Sequence, residues 1–583
     1  MTLRSICTAA LLLAAPAWPA FAQDWVDRSN EYTQDVLEAQ GEISPETVSY
    51  YGLEQFDEET SELTADLAER EIAVNERLIA QLQAARESET DANVRQDLTI
   101  LIGSLEDENT STRLSQRLET QWMDVPQMIF QIIGSRLDDQ VAQNRYASAV
   151  TVLRRYTGLE PGTTPLTEQA KARFAESLGE ERVAPYRGDV EQAIARVPAL
   201  IAGMRELFDR YELGGEDALD AMEAQLSDYA QWEREVVLPA AREDYRLPQE
   251  LYADRLKNYG IDIDPLQLVA RARRGFYETR LQMEALAPVV AAKFGWEETD
   301  YPSVIARLKQ ETIPQDELEA YYRNVGEQIE EIVRREQIVS LPDFPVAMRL
   351  GTEAENAASP APHMRGPRLI GNTGEQGTFV LTTGDPSLAP DARYDDFNYG
   401  AAAWFVSAHE ARPGHELQFG QMVANGVSLA RAIYAGNSVN SEGWALYAEA
   451  EVLPFLPVEA QLGALQSRLL RTSRAMLDPM LNLGLIDLER ARAVLSDEAR
   501  FSDAMVNQEL NRYTFRSPGQ AGSYYYGYSQ LIDLRIETEL ALGEDFDQMA
   551  FNDFLLSQGR IPIEQMAEAV REDFIPAQRG RTN

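Results

Sequence analysis

Cysteine is almost absent from this 583-residue chain: the single one, Cys7, lies in the opening segment. Beyond it there is no thiol for a nucleophile, a thiolate metal site or a disulfide. Histidine is nearly as scarce, with three in all. Positive charge is also short: 53 Lys and Arg stand against 95 Asp and Glu, for a formal net charge of −42. Such a balance repels a phosphate backbone and argues against a nucleic-acid partner. It fits a soluble, salt-tolerant surface, with selection of cationic substrates as the other meaning. After the opening segment no stretch approaches the roughly 18 uninterrupted apolar residues of a membrane span, so no membrane insertion is expected. Walker and Rossmann fingerprints and the G-x-S-x-G elbow are missing too.

What is present is the composition of a folded protein, 44% hydrophobic and 25% charged. The first 22 residues carry one positive charge at Arg4, an apolar stretch through Leu13, and Ala20 and Ala22 flanking Phe21. They read as a signal peptide cleaved after Ala22, so a periplasmic or secreted protein is expected. Cys7 comes too early to become a lipid-bearing first residue.

Apolar residues at three-to-four spacing predict helices over Glu59–Arg86, Asn93–Leu118, Val190–Tyr211, Leu266–Phe294 and Gln315–Glu336, with Asp264 as a cap. Between about Leu341 and Phe397 proline and glycine become frequent, and Gly377–Thr383 has a strand's composition. Helical periodicity then resumes. The expected fold is mainly α, with a helical portion over 23–340 and a portion over 341–583 containing a strand-bearing connector, together one continuous unit.

Two of the three histidines fall in His409-Glu410-Ala411-Arg412-Pro413-Gly414-His415-Glu416. A histidine followed at once by a carboxylate is the start of H-E-x-x-H, in which two imidazoles bind zinc and the Glu activates water. Here the second histidine comes six positions on rather than four. On an unbroken helix six positions turn through about 240°, which would aim the rings apart. Pro413-Gly414 supplies a break that could bring His415 back; two unrelated surface histidines are the alternative. A third ligand must be His, Asp or Glu. Downstream, Asn440-Ser441-Glu442-Gly443-Trp444-Ala445-Leu446-Tyr447-Ala448-Glu449 offers Glu442 in the first turn of a helix capped by Ser441 or Asn440. Glu449, seven positions later, shares its face and could orient a ligand. The plainer role for Glu442 is to favour a helix N-terminus.

H-E-x-x-P-G-H followed by E-G-W-A-L-Y resembles the bacterial zincin-like family known as domain of unknown function 885, distantly similar to carboxypeptidase Taq and other helical zinc peptidases. The likeness continues through Arg512-Tyr513, Pro518–Tyr524 and Leu534-Arg535. It implies a large, bilobed helical fold with a deep cleft and a small β element beside the site. It also implies one zinc ion on His409, His415 and Glu442, with Glu410 as general base. A strand aligning an extended peptide is implied as well; Gly377–Thr383 fits by placement, with Phe379 and Leu381 against substrate. Arg412 and Glu416 depart from the expected motif.

Amide hydrolysis on zinc also needs an oxyanion donor, and Tyr513 or Tyr524 would serve, unless both merely pack a core. A carboxypeptidase would need a cation for the terminal carboxylate; Arg512 and Arg535 are candidates, with ordinary surface roles as the alternative. His363 reads as a loop residue. The expected function is an exported zinc metallopeptidase acting on short peptides. A zinc hydrolase of a non-peptide amide or ester, and a non-catalytic periplasmic binding or scaffold protein, are the alternatives.

Overall fold

The computed structural model describes residues 24–581 apart from 139, 180, 359–360, 373, 385–388, 390–395 and 425. The expected signal peptide, residues 1–22 with Cys7, lies outside the described residues. Helix accounts for 72% of the structure and strand for 3%, so the fold is mainly α.

Near the N-terminus the helices Asp24–Gly41, Leu67–Ser88 and Ala92–Leu118 bury Val36, Leu78, Leu82, Leu98, Leu101 and Leu105 between them. The helix expected from Glu59 starts at Leu67 because side chains hold the preceding backbone elsewhere. Ser61 N donates to Glu46 Oε1 at 2.7 Å and Leu63 N to Gln169 Oε1 at 2.8 Å. A second core gathers Val152, Phe174, Phe208 and Tyr229 from helices between Val125 and Trp232.

The largest core surrounds the candidate site. Its helices are α1 (Pro265–Phe294), α2 (Gln315–Arg335), α3 (Gly400–Glu410), α4 (His415–Ala424), α5 (Ser438–Val452), α6 (Val458–Asn482), α7 (Asp503–Asn511) and α8 (Ser523–Leu542). Asp264 caps α1 as expected, accepting from Leu266 N and Gln267 N, and Gly295 at φ 72° ends it. This core joins Met283, Val290 and Tyr322 to Phe405, Tyr447 and Leu470, so it runs across residue 340 without a break.

The sheet has three short strands, β1 (Ala347–Leu350), β2 (His363–Arg365) and β3 (Thr378–Leu381), in the order β1-β3-β2. β3 is the strand expected from its composition. It pairs parallel with β1 (Ala347 opposite Thr378) and antiparallel with β2 (His363 opposite Val380). Both its edges are therefore filled, which corrects the expectation that it lies open to an extended peptide. Phe379 and Leu381 are buried in the core, Phe379 against the Tyr322 ring, and neither lines the candidate cavity. β2, not foreseen, takes the place beside the site, and His363 belongs to it rather than to a loop.

Candidate metal centre

α3 reads Gly400-Ala401-Ala402-Ala403-Trp404-Phe405-Val406-Ser407-Ala408-His409-Glu410, and Ala401 through His409 are all buried. A helix apolar all round passes through the middle of a core, and this one delivers His409 and Glu410 at its C-terminal end. The helix then breaks, and α4 begins at His415. A Cβ at Gly414 would lie 1.9 Å from the His409 carbonyl oxygen, so the chain can fold back this tightly only on glycine. The indole of Trp444 pins the turn, donating to the Pro413 carbonyl at 3.1 Å. Arg412, buried below it, donates to Glu416 Oε2 at 2.5 Å, Glu330 Oε1 at 3.0 Å and the Phe344 carbonyl at 2.8 Å. The two residues that depart from the expected motif thus brace the turn against each other.

The break returns His415 to His409: the ring centroids are 4.8 Å apart and the planes meet at 84°. α5 supplies the third group. Its cap is Asn437, whose side chain accepts from Asn440 N at 2.9 Å, rather than Asn440 or Ser441. Glu442 consequently sits past the first turn. Its Oε2 lies 3.4 Å from His409 Nε2 and 3.3 Å from His415 Nε2. One ligand atom from each of His409, His415 and Glu442 falls within 4.8 Å of the others, the one such group of three among the described residues.

Glu449, on the same face of α5, takes the other side of the first imidazole. Its Oε1 is 2.7 Å from His409 Nδ1, which assigns the Nδ1 proton to that bond and leaves Nε2 facing Glu442. Burial disfavours the charge on His409, but the carboxylates of Glu442 and Glu449 beside its two nitrogens carry its pKa up to about 9. Burial likewise opposes ionisation of Glu442, yet the two imidazoles hold its carboxyl well below the usual range. Among the described residues, Glu442 Oε2 and His415 Nδ1 are buried without any hydrogen-bond partner. An orphaned carboxylate oxygen facing two imidazole nitrogens suits a divalent cation, and His₂Glu is a donor set of catalytic zinc sites.

These groups face a cavity of about 360 Å³ also lined by Glu410, Met364, Arg512 and Tyr524. Glu410 Oε2 accepts from Met364 N of β2 at 2.9 Å. The Tyr524 ring stacks on His409 with centroids 6.2 Å apart, while Arg474 Cζ lies 4.4 Å from its centre on α6. Burial raises the Tyr524 pKa, so the phenol stays a neutral donor. Arg512 reaches within 3.4 Å of its hydroxyl.

Two other expected residues are not brought to the cavity. Tyr513 is fully enclosed and its hydroxyl donates to Glu509 Oε2 at 2.8 Å. Arg535 is taken up by Glu451, by Glu539 at 2.7 Å and by Gln548 at 3.0 Å. The sequence reading missed Arg471, Arg474 and Arg560, which line the cavity. Nothing local distinguishes them from the other arginines.

Among the described residues no helix is long and apolar enough to cross a membrane. No curated protein matches the chain. Two solved structures share the fold. A candidate lipoprotein of unknown function from Shewanella oneidensis is 19% identical, with a TM-score of 0.70, over 94% of this chain and 100% of that one. A candidate lipoprotein from Colwellia psychrerythraea is 17% identical, with a TM-score of 0.74, over 95% of this chain and 99% of the other. The family model described as bacterial protein of unknown function (DUF885) matches residues 45–570, and the chain belongs to that family.

Proposed function

We propose that the protein is an exported, zinc-dependent metallopeptidase that hydrolyses short peptides. The observation that carries this is the convergence of His409, His415 and Glu442 in a cavity that also presents Glu410. Export is supported by the leader-like first 22 residues and by the lipoprotein names of the two structural neighbours.

His409, His415 and Glu442 would hold one zinc ion, which supplies Lewis acidity and makes water a nucleophile near neutral pH. Glu449 keeps the Nδ1 proton of His409 and so leaves Nε2 free to ligate. Glu410 takes a proton from the attacking water and passes it to the departing amine. Tyr524, protonated and stacked beside His409, donates to the oxyanion as the carbonyl carbon becomes tetrahedral.

Metal analysis of the purified protein, with mass spectrometry of a peptide library incubated with wild type and Glu410→Gln, tests the reading. One zinc per chain and a loss of about 100-fold or more in cleavage rate on Glu410→Gln are expected. Protein without stoichiometric zinc, together with unchanged cleavage by Glu410→Gln, overturns it.

A further inference from the structure

A second cavity of about 480 Å³ adjoins the first; Met364, Phe419 and Arg560 line both, and Tyr50, Tyr51 and Arg136 belong to the second. Most arginines lining the two have a carboxylate of their own. Arg471 faces Glu449, Arg474 and Arg512 share Glu509, Arg145 binds Asp57, Arg365 binds Asp138, and Arg368 faces Glu54. Arg136 has no such pair but lies in the field of Glu46 and Asp57.

Arg560 is different. Among the described residues no carboxylate comes within ion-pair distance of it. Its Nη2 donates to the Ala432 carbonyl, its Cζ lies 5.3 Å from the centre of the Phe419 ring, and its Nε is buried without a partner. Burial lowers its pKa, and only Tyr51 and Tyr50 oppose that effect. The fold makes room for it, since a Cβ at Gly436 would stand 2.5 Å from its Cζ. A half-buried cation with no carboxylate beside it is costly. Among the described residues of a chain with 95 acidic side chains none pairs with this one, on the wall of the cavity that holds the candidate metal centre.

We propose that Arg560 anchors a carboxylate of the substrate within about three residues of the bond cleaved at the candidate metal centre; this rests on the peptidase reading. The spacing follows from Phe419. The His415 ring centroid is 6.2 Å from its centre and Arg560 Cζ is 5.3 Å from it, so with extended chain advancing about 3.3–3.6 Å per residue the two lie no more than about three residues apart. The carboxylate is either the peptide's own terminus or an Asp or Glu side chain, and a guanidinium accepts both.

Three kinds of N-acetylated alanine pentapeptide separate these sources: one with a free C-terminus, its C-terminal amide, and a series of amides with a single Glu placed at each position in turn. Binding is measured by calorimetry on Glu410→Gln in the Arg560 and Arg560→Gln backgrounds, and cleavage on the corresponding proteins with Glu410 intact. A preference of about 10- to 100-fold for a carboxylate-bearing peptide over the neutral amide is expected with Arg560. It should collapse with Arg560→Gln and survive in part with Arg560→Lys. The melting temperature of Arg560→Gln should change little, because the change relieves an unpaired charge while giving up the Ala432 hydrogen bond and the Phe419 contact. No preference with Arg560, or an undiminished one in Arg560→Gln, overturns the proposal. Cleavage without preference leaves the peptidase reading standing and the anchor refuted. Arg560-dependent binding of the acidic peptides with no cleavage does the reverse.

Discussion

Glu449 is enclosed in the protein, with one carboxylate oxygen on His409 Nδ1 at 2.7 Å and the other 3.5 Å from Ser467 Oγ. It offers nothing to a substrate, yet it sets which nitrogen of His409 carries a proton. Partners of this kind are worth about 10- to 100-fold in metal affinity. Glu449→Gln should weaken zinc binding by that factor in competition with a chromogenic chelator; unchanged affinity would show that the tautomer is set elsewhere. Glu233, far from the site, makes a prediction about pH. It is fully buried, with Oε1 accepting from Trp122 Nε1 at 3.0 Å and Oε2 unpartnered. Burial pushes its pKa up to about 8, against the opposing bond from Trp122 and the charge of Arg234. A carboxyl whose folded-state pKa is raised favours folding while protonated, and that contribution is lost as pH rises from about 4.5 through 8. Glu233→Gln keeps an acceptor for Trp122 without the charge. Its melting temperature should match wild type near pH 4.5 and exceed it by several degrees above pH 8, about 1–3 kcal/mol. Equal melting temperatures at both pH values would refute this.

At the scale of elements, the site depends on two helices meeting without side chains between them. A Cβ on Gly527 of α8 would fall 2.0 Å from the Val439 carbonyl oxygen and 2.8 Å from Gly443 Cα on α5. This contact lets α8 bring Tyr524 to His409 on α3 and Glu442 on α5. Gly527→Ala must push the helices apart and should cost at least about 1–3 kcal/mol in thermal unfolding. Gly326→Ala on α2, where a Cβ meets nothing within 4 Å, should instead stabilise by about 0.5–1 kcal/mol. If both variants melt alike, close helix contact is not what holds the site. Elements of this kind were legible in the sequence to differing degrees. The break after Glu410 could be read because Pro413-Gly414 and the divergent histidine spacing are adjacent in the chain. α1 could be read because Asp264-Pro265 and Gly295 mark its ends. β2 could not: it has three residues, two of them polar, between prolines, and becomes a strand only by pairing with β3. The pairing of Gly443 with Gly527 was equally invisible, since neither glycine has a local reason to be there.

Across the whole molecule, legibility fell with sequence separation. Arg431, between α4 and α5, binds Asp97 at 2.7 Å across 334 positions, and Ala430 packs into the small N-terminal core. Arg560 is notable for a carboxylate it does not have, which no reading of its neighbours in sequence could reveal. The same long reach makes a division near residue 340 a boundary of texture rather than of packing. α1 and α2 lie before it, and their buried Met283, Val290, Tyr322 and Ile329 belong to one core with Phe405, Tyr447, Leu470 and Tyr526, which lie after it. The candidate ligands and Glu410 all come from the later half, so a separately produced 341–583 segment retains every group of the candidate metal centre. It would nevertheless expose the face of α6 that α1 covers, and apolar surface on that scale drives association rather than folding. The expected outcome is that this segment aggregates or binds a hydrophobic dye and holds zinc far more weakly than the intact chain. Mixing it with 24–340 should restore binding if the shared core reforms. A segment that alone binds zinc with the full-length affinity would mean that the centre is held by the later half only, and that the core running across residue 340 contributes nothing to it.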